Sequence, residues 1–284
     1  MKRKALVILS GGQDSTTCLF WAKKNFDEVS AITFDYGQLH ISELKSAIKV
    51  AKIAGVNWHE VVKVPNVLQS MSPLTNKKEQ LHKYSDFDSM EREVGSDIEN
   101  TFVPLRNPFF LIISANYALS MGYTHIVTGV CASDNANYPD CTQAFIEKCE
   151  LMINEAIGNK FSVGLKSEEH NWLRIETPLI DIDKSNTCWL ARKLGRDSWR
   201  ALAYTTTSYD GVYPPIDNNH SNLLRAKAFE QAGLPDPLVI RAWQEGLMDL
   251  PVSSNYHCVT TYMLDSGSMH PMHYTLDELL ECAQ

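Results

Sequence analysis

The stretch ALVILSGGQDS, residues 5–15, decides the fold that we expect for this chain. Its first five residues are all apolar, which is typical of a parallel strand that is covered on both faces. Residues 10–15 then place two glycines and two serines ahead of a helix-compatible run at 16–26. This order predicts a strand, a tight loop and a helix at the start of an α/β fold.

The same alternation continues along the chain and predicts a parallel sheet of about five strands with helices on both faces. Residues 66–100 are polar and show little periodicity, so we expect a long loop there, a candidate lid over a site. From residue 251 onward we expect irregular structure. Further strands are expected near 29–34, 60–64, 125–130 and 173–180, and helices near 41–55, 108–121, 142–157, 184–194, 221–232 and 237–248.

Composition narrows the class of protein. The 284 residues carry 26 basic and 34 acidic side chains, and the net charge of −8 argues against a broad nucleic-acid-binding face. Apolar runs reach only about five residues, far below the ~20 that span a bilayer, so we expect no membrane segment. Seven cysteines occur singly and without a CxxC pair, which favours reduced thiols in a cytoplasmic protein.

Residues 10–15, which we call the phosphate loop, have the chemistry of an anion site. Gly11 and Gly12 let the backbone approach an anion without side chains in the way. Successive backbone amides and the helix N-terminus attract negative charge, and the hydroxyls of Ser10 and Ser15 add donors. Asp14 would place a negative charge in an anion site, so we expect it to cap the helix or to bind a metal ion. The alternative interpretation is a tight strand–helix turn with a serine cap.

The phosphate loop resembles the SGGxDS signature of the PP-loop ATP pyrophosphatases, and further motifs are similar to those of the QueC family of 7-cyano-7-deazaguanine synthases. The resemblance covers about residues 1–235 and implies an adenine nucleotide α-hydrolase-like domain. Residues 236–284 are then a C-terminal helical or irregular extension. The matching segments are 33–38 with His40, 100–107, 128–130, 138–141 and 176–179 with Lys184.

The resemblance implies an ATP-dependent ligase that adenylates the carboxylate of 7-carboxy-7-deazaguanine and releases pyrophosphate. Ammonia then gives an amide, and a second adenylation on the amide oxygen gives a nitrile. QueC-like proteins of bacterial antiphage systems suggest another acceptor, a protein amine, which would leave a nucleobase–protein conjugate. A catalytically silent sensor or scaffold that binds nucleotides or deazapurines is the alternative of a different class. The family also implies Mg²⁺ and a homodimer.

Carried onto this sequence, the resemblance assigns three catalytic residues. Asp14 is the candidate Mg²⁺ ligand, Arg106 suits a phosphate or carboxylate because its planar fork binds two oxygens, and Lys184 stabilises negative charge near the α-phosphate. The candidate ATP-binding residues are Ser10, Gly11, Gly12, Gln13, Asp14, Ser15 and Gly129. The candidate deazaguanine-binding residues are Asp35, Tyr36, Gln38, His40, Phe102, Asn107, Tyr138 and Asp140.

The chain departs from the family at a structural zinc. Typical members hold it with four cysteines, whose places here contain Ser208, Ile216, Asn219 and Asn222. We therefore expect no zinc cluster at the family position, and another way of ordering that segment. The histidines and cysteines of the tail match no trusted metal-binding spacing, so we interpret them as ordinary tail residues.

Overall fold

A parallel sheet forms the centre of the computed structural model, which describes residues 2–38, 42–64, 67–68, 70–76, 78–131, 137–158, 173–208, 211–268 and 270–282. Its order is β3-β2-β1-β4-β5, and all neighbouring strands run parallel. This arrangement confirms the α/β fold class. The strands are β1 (Lys4–Ile8), β2 (Glu28–Asp35), β3 (His59–Lys63), β4 (His125–Val127) and β5 (Arg174–Glu176).

Helices cover both faces of the sheet, because successive residues of the buried strands point to opposite sides. On β1, Ala5 and Val7 belong to the core beneath α1 (Gln13–Asn25) and α2 (Ser42–Ala54). Leu6, between them, belongs to the core beneath α4 (Arg106–Ser120) and α5 (Gln143–Ile157). Two separate cores therefore hold the sheet, and the all-apolar strand predicted from the sequence serves both.

The strand order changes direction at β1, which lies between β2 and β4. In open α/β sheets, ligands bind outside the carboxyl ends of the strands at such a switch point. The phosphate loop follows β1 there, and Thr128 and Gly129 follow β4. The topology thus brings two of the sequence motifs to one edge of the sheet.

The segment 66–100 contains a helix that the sequence analysis did not predict, α3 (Phe87–Val94). Asp86 accepts from the amide of Ser89 while the Ser89 hydroxyl meets the Asp86 backbone, which is a capping box. Met90 and Val94 are buried in a small core with Leu223. The helix is only 8 residues long, so its apolar face was too brief to appear as a periodic pattern.

The prediction of irregular structure after residue 251 was wrong. The chain there forms α10 (His257–Ser266) and α11 (Leu276–Cys282), which follow α9 (Pro237–Gln244). Val259 and Met263, one helical turn apart, are buried in a third core with Trp199 and Phe229. This third core joins these helices to α6 (Lys184–Lys193), α7 (Arg196–Leu202) and α8 (His220–Ala232).

Two salt bridges also join α7 to α11. Arg196 lies 2.5 Å from Glu281 and Arg200 lies 3.0 Å from Asp277. None of the helices in the described ranges is both long and apolar enough to cross a bilayer.

A buried ion pair joins α8 to the start of α9. The guanidinium of Arg225 donates to both carboxylate oxygens of Asp236, at 2.6 and 2.8 Å. The same guanidinium donates to the hydroxyls of Thr205 and Thr207, at 2.8 and 2.6 Å. The side chains of Arg225 and Asp236 are 2% and 4% exposed, so water does little to screen the attraction between their charges.

We expect Asp236→Asn to lower the free energy of unfolding by about 3–5 kcal/mol, because it leaves the Arg225 charge buried without a counter-charge. Chemical denaturation of the variant beside the wild type measures this. Glu230→Gln is the matched control, because it removes the carboxylate from the solvent-exposed Lys227–Glu230 pair and should have a much smaller effect. Equal losses in the two variants would contradict the prediction.

Candidate active site

A cavity of about 270 Å³ opens at the carboxyl ends of β1, β2 and β4. Its volume lies near the lower end for small-molecule sites. The phosphate loop and Lys184 line one part of it, and Tyr36, Arg106 and Tyr138 line another. The site residues of the resemblance that line it are Ser10, Gly12, Gln13, Asp14, Ser15, Tyr36, Gln38, Arg106, Asn107, Gly129, Tyr138 and Lys184.

Hydroxyl groups and backbone atoms fix the shape of the phosphate loop. The Ser15 hydroxyl lies 3.0 Å from the Ser10 hydroxyl and accepts from the Ser10 amide at 3.2 Å. The Ser10 hydroxyl accepts from the amide of Gly12 at 3.3 Å. Helix α1 begins at Gln13, and its N-cap, Gly12, provides no side-chain cap. A helix N-terminus without a side-chain cap suits a bound anion, because the helix dipole places partial positive charge there.

Two glycines allow close packing around the loop. A Cβ on Gly11 would lie 2.5 Å from the Glu43 carbonyl oxygen and 2.7 Å from the Ala47 amide, both in α2. The backbone of Gly11 is also left-handed, with φ near +90°. A Cβ on Gly129 would lie 2.9 Å from the amide of Ser15. Glycine at both positions lets β4 and α2 approach the loop directly.

Lys184 and Asp14 form an ion pair beside the loop. The Lys184 ammonium donates to a carboxylate oxygen of Asp14 at 2.6 Å, and the side chains are 12% and 24% exposed. Asp183 caps α6 by accepting from the Asn186 amide, which sets Lys184 as the first helical residue. The sequence analysis named both residues but not this pairing. Their joint position places a cation and an acid at the N-terminus of α1.

Gln13 lines the cavity beside this ion pair and holds a buried hydrogen-bond acceptor. Its side-chain amide is buried and donates to the sulfur of Cys188 at 3.2 Å. Its carbonyl oxygen Oε1 has no hydrogen-bond partner among the described residues. A buried acceptor without a donor costs free energy, so this atom suits a donor group on a bound ligand.

Aromatic rings form another wall of the cavity. Phe34 and Phe110 stack with centroids 4.3 Å apart, and Tyr36 lies 5.5 Å from Phe110. Gln38 fixes this end of β2 by accepting from the amide of Tyr36 at 2.9 Å. Flat apolar rings suit a flat heteroaromatic base. Phe110 was missed by the sequence analysis because it lies in a helix that is apolar on nearly every side.

A cluster of charged and phenolic groups adjoins these rings. Arg106, at the start of α4, lines the cavity with Tyr36 and Glu43, and its positive charge favours the ionised form of both groups. Burial raises the pKa of Glu43 to about 7, and the Arg106 charge opposes that rise. Burial also raises the pKa of Tyr36. Glu43 lines the cavity but was not a candidate, since a single glutamate in a polar segment carries no pattern.

Several predicted substrate-binding residues do not line the cavity. The carboxylate of Asp35 accepts from the Gly37 amide at 3.4 Å, and Phe102 packs at 5.3 Å from Tyr138. Asp140 is buried, its main-chain carbonyl accepts from the side-chain amide of Asn107 at 3.4 Å, and burial raises the pKa of its carboxyl. Phe102 and Asp140 thus contact residues of the lining rather than the cavity itself. His40 lies outside the described residues.

The segment before α8 and the first two turns of that helix contribute lining residues that were not predicted from the sequence. Thr206, Thr207, His220 and Arg225 all line the cavity, although they lie far from the phosphate loop in sequence. The amide of Thr206 donates to the Gly11 carbonyl at 3.0 Å. Arg225 was not a candidate site residue, because only tertiary packing brings this part of the chain to the cavity.

Comparisons with known proteins identify the family of this chain. The family model "Queuosine biosynthesis protein QueC" matches residues 4–233. The chain belongs to the QueC family. The "7-cyano-7-deazaguanine synthase" of Laribacter hongkongensis is 41% identical over 243 residues, which are 84% of this chain and 94% of the relative. That of Gloeobacter violaceus is 39% identical over 237 residues, which are 83% of this chain and 95% of the relative. The resemblance predicted from the sequence is confirmed, and the chain is an enzyme of the QueC type.

This QueC-family chain orders the zinc position with hydrogen bonds. Asn219 and Asn222 donate to the hydroxyl of Ser208, at 3.0 and 3.1 Å, and Asn222 also donates to the Asp217 carbonyl at 2.9 Å. All three side chains are buried, while Ile216 is 65% exposed. Hydroxyl and amide groups are not the thiolates and imidazoles that bind structural zinc. The residues present do not fit a zinc ion.

We expect Asn219→Ala to lower the free energy of unfolding by about 1–3 kcal/mol, because it leaves the Ser208 hydroxyl underbonded and removes the N-cap of α8. Its neighbour Asn218 is exposed, so Asn218→Ala is the matched control and should change stability little. Thermal unfolding measures both variants. A chelator such as EDTA should leave the melting temperature of the wild type unchanged, and a fall would contradict this description.

Proposed function

We propose that this enzyme uses ATP to adenylate the carboxylate of 7-carboxy-7-deazaguanine and then joins that carbon to an amine. One observation carries the proposal: the Asp14–Lys184 pair at the phosphate loop and the aromatic wall with Arg106 line a single cavity. A triphosphate and a flat base with an acid group can therefore meet there. The 7-cyano-7-deazaguanine synthase relatives support this choice of substrate.

Adenylation solves a leaving-group problem. A carboxylate cannot lose oxide, whereas an acyl adenylate can lose AMP. The carboxylate oxygen attacks the α-phosphorus, a P–O bond forms, and the bond to pyrophosphate breaks. The phosphate loop amides and the hydroxyls of Ser10 and Ser15 bind the departing pyrophosphate, and Lys184 neutralises its growing charge. Arg106 orients the carboxylate for an in-line attack.

We propose that Mg²⁺ binds together with ATP. Such ions are held by one or two carboxylates together with phosphate oxygens. Among the described residues, no group of three or more His, Cys, Asp or Glu side chains could hold a metal ion alone. Asp14 is the residue that would bind it, and the ion would neutralise phosphate charge when bound.

The same acyl adenylate serves either acceptor. Attack by ammonia forms the C–N bond of an amide and releases AMP. A second adenylation on the amide oxygen, followed by loss of AMP and two protons from nitrogen, leaves the nitrile. Attack by a protein amine instead leaves an amide-linked conjugate, the outcome expected of an antiviral defence role.

We further propose that the protein is a cytoplasmic homodimer. We also propose that residues 1–235 form a QueC domain with a lid at 66–100, and that residues 236–284 form an extension.

The decisive assay supplies ATP and 7-carboxy-7-deazaguanine with either ammonia or a protein acceptor, and measures pyrophosphate release with mass analysis of the products. Free nitrile or amide identifies ammonia as the acceptor, and a mass gain on a protein identifies a protein amine. ATP binding without AMP formation would contradict turnover and favour the sensor interpretation.

We expect Lys184→Ala to slow pyrophosphate release by roughly 100–1000-fold, since it removes a preorganised cation from the transition state. Lys193→Ala is the matched control, because it removes a charge from the exposed end of the same helix. The initial rate of pyrophosphate release measures both. Equal rates of pyrophosphate release in Lys184→Ala and in the control would contradict the proposed role of Lys184.

A further inference from the structure

Glu43 has no role in adenylation as described above, yet it lines the cavity. It lies in the first turn of α2, the turn whose backbone packs on Gly11 of the phosphate loop. Arg106 and Tyr36 line the same cavity; the Arg106 charge lowers the pKa of the Glu43 carboxyl, and the Glu43 charge raises the pKa of Tyr36. The position of Glu43 therefore adjoins both the phosphate loop and the groups proposed to hold the base and its carboxylate.

We propose that Glu43 is the general base of the amine-transfer step, the group that takes the proton from the attacking nitrogen. The inference rests on the proposed function, because it needs an acyl adenylate in the cavity. The amine nitrogen forms a bond to the carboxyl carbon, and the bond from that carbon to the AMP oxygen breaks. AMP leaves with the electron pair, and the extra proton on nitrogen passes to a Glu43 oxygen and then to solvent.

The surroundings of Glu43 suit a proton acceptor. Arg106, in α4, is the cation and Tyr36, at the end of β2, is the phenol that line the cavity with Glu43 and act on it electrostatically. Asp14, Lys184 and His220 line the same cavity. Because burial raises the pKa of Glu43 to about 7, this carboxyl is a stronger base than an ordinary glutamate and can still lose its proton near neutral pH.

The test separates the two half-reactions in Glu43→Gln, which keeps the shape of the side chain but removes its basicity. Adenylation, measured as a burst of pyrophosphate without amine, should change by less than about threefold. Transfer of the preformed adenylate to ammonia should fall by roughly 100-fold or more, as expected for loss of a general base. Glu43→Asp should restore part of the transfer rate, and Glu155→Gln, on the exposed face of α5, is the control.

The pH profile provides the second readout. Glu43 accepts a proton only when it is ionised, so wild-type transfer should rise as pH increases through about 7. The ionisation of ammonia affects the wild type and Glu43→Gln equally, so it cancels in the ratio of their transfer rates. That ratio should still increase with pH through about 7, because only the wild type has the Glu43 carboxyl. Hydroxylamine, a weakly basic nucleophile, should be transferred by the variant with a much smaller defect than ammonia.

Each outcome bears on the inference. Equal losses of adenylation and transfer would overturn it, because Glu43 would then act by positioning Arg106. An unchanged transfer rate, or a rate ratio that does not vary with pH, would also overturn it. A wild type that forms no adenylate from ATP and 7-carboxy-7-deazaguanine would instead refute the proposed function, and the role of Glu43 with it.

Discussion

The site depends on the tight fit of the phosphate loop between two neighbouring segments. Gly11 packs on the backbone of Glu43 and Ala47, where no Cβ fits, and its carbonyl accepts from the Thr206 amide at 3.0 Å. The Ser46 and Thr206 hydroxyls, 2.6 Å apart, join the two segments to each other. A loop held in this way presents its amides without reorganisation, which is the condition for strong electrostatic stabilisation.

The segment that carries Thr206 is itself ordered from the C-terminal side. Arg225 donates to Thr205 and Thr207, on either side of Thr206, and is paired with Asp236, which lies just beyond the family match at residue 233. The Ser208 hydrogen-bond cluster continues this ordering where the resemblance would place zinc. Asp236, which follows the QueC match, thus supports the cavity wall through Arg225, and hydrogen bonds to Ser208 order the neighbouring segment in place of a metal ion.

The sequence predicted the features that depend on local pattern. The buried strand, the phosphate loop and the order of strands and helices follow from apolar runs and glycines, and the family was recognisable from its motifs. Glu43, Phe110 and Arg225 could not be found in this way, because tertiary packing alone brings them to the cavity. The helices α10 and α11 were missed because they bury few residues each, and these pack on a core supplied mostly by α6 to α9.

The central claim is that a substrate carboxylate attacks the α-phosphorus of ATP in this cavity. The most direct measurement uses 7-carboxy-7-deazaguanine labelled with ¹⁸O in its carboxyl group, followed by mass analysis of the AMP formed. Direct attack transfers one labelled oxygen from the carboxylate to AMP when the amine displaces the adenylate, and this is the predicted result. AMP without the label, with the label retained in the deazaguanine, would contradict the account.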